Sequence, residues 1–430
     1  MTWWVDVSYT RTQAGSDIGI TRTVRRLLGE LRTAGRDCEA VAFHASGFRR
    51  VDFDTAPQRS SAAATPAGAT AAQPRGRLFR LITGTVARRL VPIALRIAPW
   101  SLLRTLWQRS STLAFNDLTR HHEPARFSAG DVLLMADASW NYAAWVAARR
   151  AQAKGVRVVL LVYDLMPLRH PEFCFPLVPR LYGTWLAEML LCCDAVVCIS
   201  RATEDDLRRW VHEVDLPIAI APTGHFRLGS DPSSTVATGA IRPSILSVLD
   251  GPDACFASVG SFEPKKNYGL LLKAFEELWS QGSQLGLIIA GRPTTDSADL
   301  IEAMRVHPQQ GRLLLTVHDA TDSEILALYE NCRALVLPSL FEGFGLALVE
   351  ARTRGCPVIA SNLPVFAELA DGGVTTFDRT SAGALARVLV DHAINDRRAV
   401  VAPMHPFTWA DSARQCAAQI EKLLAAAPEN

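Results

Sequence analysis

Residues 338–351 read Pro338-Ser339-Leu340-Phe341-Glu342-Gly343-Phe344-Gly345-Leu346-Ala347-Leu348-Val349-Glu350-Ala351. The run before them, Ala334–Leu337, is short and wholly apolar, as a strand buried on both faces of a parallel sheet requires. The two glycines let the backbone turn sharply and approach a ligand closely. The spacing predicts a helix from about Gly345, and the free N–H groups at its start form an anion site. Glu342 falls on the loop, and Glu350 lies just over one turn inside the helix. Carboxylates in these two places can accept hydrogen bonds from hydroxyls on two parts of one ligand. Arg352-Thr353-Arg354-Gly355-Cys356-Pro357 then stops the helix, and Val358–Ala360 reads as the next strand. The dinucleotide fingerprint is a poor match, because Leu348 stands where its third glycine belongs.

Outward from this unit the same rhythm repeats. Short apolar runs occur at Trp3–Val7, Cys38–Phe43, Val132–Met135, Val156–Val162, Ala195–Ile199 and Ile218–Ala221. They recur at Cys255–Val259, Leu287–Ala290, Leu313–Val317, Ala334–Leu337, Val358–Ala360 and Val374–Phe377. Helical patterns fall between them: Leu271, Phe275, Leu278 and Trp279 share one face, and Ser323-Glu324 reads as a helix start. Strands alternating with helices imply parallel βαβ units. The prediction is an α/β protein of two doubly wound, Rossmann-like domains facing across a cleft. Residues 1–227 form the first, with an insertion at about 56–115. Residues 228–252, rich in Gly, Pro and Ser, form a linker. Residues 253–406 form the second domain, and 407–430 a closing helix packed back toward the first. Ligands of such sheets sit at the C-terminal ends of the strands.

Composition narrows the class. The chain has 430 residues, 49% hydrophobic and 20% charged, with a formal net charge of +2. This is a globular balance, and a nucleic-acid partner is not expected at so low a net charge. The nine cysteines form no C-x-x-C pair, and most lie in or beside apolar runs, which suits a reducing compartment. The N-terminus lacks the pattern of a signal peptide, and no apolar run reaches membrane-spanning length. A cytoplasmic or peripheral protein is the expectation.

The motifs together resemble the retaining glycosyltransferases of family 4, of the bacterial polysaccharide or O-antigen type, which have the two-domain GT-B fold. The resemblance rests on Glu-Gly-Phe-Gly-Leu at 342–346 with Glu350 beyond it, and on Val259-Gly260-Ser261-Phe262-Glu263-Pro264-Lys265-Lys266-Asn267. Further pieces are Gly19-Ile20-Thr21-Arg22, Tyr163-Asp164-Leu165-Met166-Pro167 and Ser200-Arg201-Ala202-Thr203. The resemblance implies a sugar moved with retention from a nucleotide-diphosphate sugar, GDP-mannose as first guess, to a glycan or lipid-linked acceptor. Glu350 would bind the ribose hydroxyls and Glu342 the hydroxyls of the transferred sugar. Phe344, Gly345 and Leu346 would offer N–H groups to the diphosphate. Lys266 would neutralise charge developing on the departing diphosphate, with Lys265 beside it. Gly19 would approach the diphosphate from the first domain, Asp164 would contact the sugar or acceptor hydroxyl, and His318 the nucleobase. Ser261 stands where the family often has Arg, and Tyr163 where it often has His. No metal or other cofactor is implied. The alternatives are an epimerase or phosphorylase on the same fold, or a non-catalytic binding subunit.

One feature stands outside these motifs. Between Asp54 and Asp117 there are nine arginines and no acid. Arg77–Val91 reads as an amphipathic helix with Phe79, Ile82, Val86 and Leu90 on one face. Leu102, Leu103, Leu106 and Trp107 follow. The block Arg77–Arg109 therefore suits either an anionic membrane surface or packing on the body.

Overall fold

The computed structural model describes residues 1–13, 19–53, 99–215, 220–230, 239–251, 253–395 and 401–426. The chain divides into two compact units. One comprises residues 1–229 and 409–430, the other residues 230–408. The low-complexity stretch Ala56–Pro74 and the helix expected at Arg77–Val91 lie outside the described residues.

The first unit holds a seven-stranded sheet. Its strands are β1 (Trp3–Asp6), β2 (Cys38–His44), β3 (Gly47–Arg50), β4 (Val132–Met135), β5 (Arg157–Val162), β6 (Ala195–Cys198) and β7 (Thr223–His225). They lie in the order β3-β2-β1-β4-β5-β6-β7. All pairs are parallel except β2–β3, a hairpin with Val41 opposite Arg50. The sequence pattern misses β3, because Gly-Phe-Arg-Arg buries only Phe48 among its four residues. It also misplaces the last strand, which is Thr223–His225. Ile220 and Ala221 precede that strand, and Ile218 and Ala219 lie outside the described residues.

The long helix Gly19–Thr33 buries Val24, Leu27, Leu28 and Leu31, at the three- and four-residue spacing of one face. The closing helix Trp409–Ala426 packs on that helix and on β6 and β7. Its own Cys416 and Ile420 are fully buried in that contact face. Gly224 makes the crossing possible, because a Cβ there would lie 2.0 Å from the Gln419 side chain.

The second unit is a six-stranded, wholly parallel sheet. Its strands are β8 (Cys255–Val259), β9 (Gly286–Ala290), β10 (Leu314–Val317), β11 (Ala334–Leu337), β12 (Val358–Ser361) and β13 (Val374–Phe377). The order β10-β9-β8-β11-β12-β13 reverses between β8 and β11, the signature of a doubly wound nucleotide-binding sheet. On one face the helices Tyr268–Ser280 and Ala382–Ile394 pack together through Leu271, Phe275, Leu385 and Leu389. The helix after β10 runs Asp322–Asn331 and is capped by Thr321, which exchanges hydrogen bonds with Glu324 in a capping box. The cap is thus two residues earlier than the Ser323 start read from sequence. Pro243–Leu249, inside the stretch of linker composition, is a helix packed on β9 and β10.

Candidate active site

The site of the second unit forms where its strand order reverses. β8 exits into Gly260–Asn267 and β11 into Pro338–Gly345, and the Leu340 N–H donates to the Lys265 carbonyl at 2.7 Å to bind the two loops together. Glycines make the close approach possible. Gly260 has φ +155°, and the neighbouring Gly291, beyond β9, has no room for a side chain: its Cβ would lie 1.7 Å from the Gly260 carbonyl oxygen. Gly291 carries no signal in the motif reading, because only the neighbouring strand makes it necessary.

Two ion pairs fill the crossover. Lys266 Nζ lies 2.5 Å from Glu342 Oε1, and the Ser339 hydroxyl donates to the same oxygen at 2.8 Å. Lys265 Nζ lies 3.1 Å from Glu263, which also accepts from Ser261 Oγ at 2.6 Å. The structure therefore separates the two lysines, assigning Lys266 to Glu342 and Lys265 to Glu263. Burial pushes the Glu342 carboxyl up, but Lys266, Lys265 and the Ser339 hydroxyl outweigh it and hold the group below its ordinary value. Glu263 behaves likewise beside Lys265, Ser261 and Lys266. Both acids are thus ionised at neutral pH. Glu263 went unnoticed in the sequence, where its place in the lysine loop gives no hint of a partner.

Gly345 caps the helix Leu346–Thr353 with φ +111°, a conformation L side chains rarely adopt, and a Cβ there would meet the Phe366 ring at 2.8 Å. Phe344 is buried and Leu346 half-buried at this helix start, where the first N–H groups lack partners within the helix. Glu350 is half-buried on the same helix, where it accepts a hydrogen bond from the Tyr329 hydroxyl at 3.2 Å. His318 follows β10, half-buried, with its ring edge-on to Phe262 at 5.0 Å and Nδ1 3.3 Å from the Gly291 carbonyl oxygen. Its neighbour Asp319 is engaged by Arg242 at 2.7 Å, and Arg242 also forks onto the buried Glu324.

Beneath the site lies an anchor that the sequence reading passed over as a helix stop. Arg352 is 1% exposed. Its Nε and Nη2 meet the two oxygens of Asp371 at 2.9 and 3.0 Å, and it donates further to the Cys356 and Ala402 carbonyls. A Cβ at Gly373 would lie 2.2 Å from its guanidinium, so Gly373 is the space Arg352 occupies.

In the first unit Gly19 begins its helix at φ +54°, with open space where a Cβ would stand. Residues 14–18 of that glycine segment lie outside the described residues. Asp164 follows β5, half-buried, and its Oδ1 accepts from the Met166 N–H at 3.0 Å. Tyr163, at the position read for a sugar-facing histidine, instead turns inward. Its hydroxyl donates to the Ala136 carbonyl at 2.7 Å.

Two doubly wound sheets, one with a lysine–glutamate pair at its strand-order reversal, define the GT-B class of glycosyltransferase folds. Residues 247–400, within the second unit, match the family described as glycosyl transferases group 1. The chain is 30% identical over 276 residues to the serotype-specific mannosyltransferase WbdA of Escherichia coli, covering 63% of this chain and 34% of that protein. It is 27% identical over 215 residues to the O-antigen chain mannosyltransferase RfbU of Salmonella typhimurium, covering 50% of this chain and 54% of that one. The chain thus spans about a third to a half of the length of these relatives. In structure it resembles sucrose-phosphate synthase from Thermosynechococcus elongatus, with TM-score 0.63, 18% identity and coverage of 99% of this chain and 100% of the other. It also resembles an α,α-trehalose-phosphate synthase from Burkholderia vietnamiensis, with TM-score 0.62, 11% identity and 99% of both chains covered. At these identities the likeness is one of fold.

Proposed function

We propose that the chain is a retaining mannosyltransferase that moves mannose from GDP-mannose to a glycan or lipid-linked acceptor in surface polysaccharide synthesis. The observation that carries this reading is the half-buried Lys266–Glu342 pair at the reversal of a parallel sheet, with Glu342 three residues before the glycine that caps the next helix. The names of the relatives, WbdA and RfbU, support mannose and the polysaccharide. Lys266 and the N–H groups of Phe344, Gly345 and Leu346 receive the diphosphate, with Ser261 and Lys265 beside them. Glu342 takes hydroxyls of the sugar, Glu350 those of the ribose, and His318 lies toward the base. Gly19 and Asp164 are the corresponding positions of the first domain, for phosphate and for the acceptor or sugar hydroxyl. The charge on the departing diphosphate is met by fixed cations and dipoles, with no metal assigned to the step. The direct test is transfer from labelled GDP-mannose to a panel of glycan and lipid-linked acceptors, with an EDTA arm. Transfer that survives chelation is expected. Transfer from uridine-diphosphate sugars alone, or activity that only magnesium or manganese restores, would overturn the donor reading.

Glu350→Ala is expected to weaken nucleotide-sugar binding by about ten- to a hundredfold, because charge-assisted hydrogen bonds are worth about 1.5–3 kcal/mol. Calorimetric titration with GDP-mannose checks this, and unchanged affinity would remove Glu350 from the ribose site.

The proposal includes peripheral attachment to the inner face of the plasma membrane. No helix among the described residues is long and apolar enough to cross a membrane. The helix Trp100–Thr119 turns Trp107, Ser111, Phe115 and Thr119 inward, so Trp107 is no surface anchor. Its opposite stripe carries Leu102, Leu106, Arg109 and Leu113, and Leu113 is 70% exposed. At about 1 kcal/mol per basic residue near an anionic surface, reversing Arg77, Arg80 and Arg88 to Glu should cut vesicle affinity at least about a hundredfold. Co-sedimentation with phosphatidylglycerol-containing and neutral vesicles tests this. Equal partitioning on both, or none at low salt, rejects the membrane reading.

A further inference from the structure

Two carboxylates that the proposed reaction does not use are buried at the reversal point of the first sheet. Asp6 ends β1 and is 0% exposed, and Asp137, two residues beyond β4, is 2% exposed. Both hold the same stretch of chain. Asp6 Oδ1 accepts from the Ser8 N–H at 3.0 Å and from its hydroxyl at 2.5 Å, and Ser8 Oγ in turn accepts from the Phe43 N–H of β2. Asp137 Oδ2 accepts from the Thr10 N–H at 2.7 Å, and Oδ1 from the Ala138 N–H at 2.8 Å and the Thr10 hydroxyl at 3.1 Å.

The donors differ in kind. Each oxygen of Asp137 faces a backbone N–H, whose polarity is fixed. A proton, or an amide NH2, on either oxygen would oppose donor to donor. Asp6 Oδ2 instead meets the Tyr142 hydroxyl, which can donate or accept. A proton on that oxygen only reverses the direction of the bond.

Burial raises both carboxyls, Asp6 to about 6 and Asp137 to about 7, the second also through the charge of Asp6. Tyr142 and Tyr163 are pushed up by burial and by both carboxylates, and Cys416 of the closing helix adds to the field at Tyr163. Groups so linked titrate as a unit, and the donor geometry decides which of them holds the proton.

We propose that Asp6 and Asp137 form a one-proton pair: the proton lies between Asp6 and Tyr142, and ionised Asp137 is the positioning residue for the Val7–Gln13 turn on the path to Gly19. Loss of the shared proton leaves two buried anions beside that turn and loosens it. The device makes this turn at the start of the first domain sensitive to pH rising through about 6 to 7, whatever substrate the domain receives.

The test compares Asp6→Asn, Asp137→Asn and Tyr142→Phe with the unsubstituted chain by thermal unfolding, infrared spectroscopy and hydrogen exchange, from about pH 5 to about pH 8. A raised carboxyl gives stability that is full below its ordinary value of 3.8 and is lost as pH rises through about 6 to 7. Asp6→Asn abolishes that loss, since its amide accepts from Ser8 and donates to Tyr142, so its Tm should gain on the unsubstituted chain as pH rises. Asp137→Asn should lose Tm throughout, with faster exchange over residues 7–13. The unsubstituted chain should show, below about pH 6, a protonated-carboxyl band that shifts in Tyr142→Phe and vanishes in Asp6→Asn. A band that survives in Asp6→Asn, or is indifferent to Tyr142→Phe, overturns the proposal. So does a pH-independent Tm difference for Asp6→Asn. The Tyr142→Phe spectrum decides the matter even where Asp137→Asn does not fold.

Discussion

Lys266→Ala is expected to lower kcat by about 10²–10³, the range for removing one preorganised electrostatic contact to a transition state, with a smaller loss of donor affinity. The asymmetry follows from timing. Charge on the diphosphate grows as the sugar departs, so a cation beside it stabilises the transition state more than the ground state. The structure adds a second consequence. Lys266 is the nearest cation to Glu342, at 2.5 Å, so its removal leaves a largely buried carboxylate with Ser339 and the more remote Lys265. Glu342 must then titrate higher, and the folded domain must lose stability. The double variant Lys266→Met with Glu342→Gln removes both charges and is expected to regain stability without regaining turnover. Steady-state kinetics, GDP-mannose binding and thermal unfolding on the three proteins separate the roles. Near-normal kcat in Lys266→Ala on a confirmed substrate pair would refute the leaving-group assignment.

Arg352→Met should destabilise the second domain by about 3–5 kcal/mol, the cost of removing the buried member of an ion pair whose other member, Asp371, is half-buried. For a domain of this size that lowers Tm by about 6–20 °C. The guanidinium serves Asp371 with two bonds and the carbonyls of Cys356 and Ala402 with one each, and methionine replaces none of them. Arg352→Lys should recover only part of the loss, since an ammonium cannot fork onto a carboxylate. The pH dependence has a definite sign. Burial raises the Asp371 carboxyl, while the Arg352 bonds and the Gly373 N–H bring it below its ordinary 3.8. A depressed carboxyl gives stability present above its ordinary value and lost as pH falls through the folded one. The gap between variant and unsubstituted chain should therefore narrow in acid. An unchanged Tm at neutral pH would show that Arg352 is no anchor. Because Arg352 is on the Glu350 helix, the same variant should also weaken GDP-mannose binding.

The alternation of apolar runs with helical patterns was enough to define two parallel, doubly wound sheets, because a strand buried on both faces must be apolar along its whole length. The glycine turn and helix start carrying Glu342, Gly345 and Glu350 were legible for a related reason: such features are local, and their residues stand together in the chain, whereas Lys266 was reached through the family resemblance. What the sequence left open depends on neighbours remote in the chain. β3 escaped because an edge strand buries one residue in four, and Gly291, Gly224 and Gly373 because each makes room for an atom from a distant segment. The division of labour between Lys265 and Lys266 needed the loop after β11 to arrive beside them. Tyr163 turned inward, and Asp6 met Asp137, only when β1, β4 and β5 lay side by side. Residue type and spacing thus determined the strands, the turns and the kinds of group at the site, since local sterics and burial act on near neighbours. Partners, protonation and anchoring were decided by the tertiary structure, because electrostatics and close packing act through space and take no account of separation along the chain.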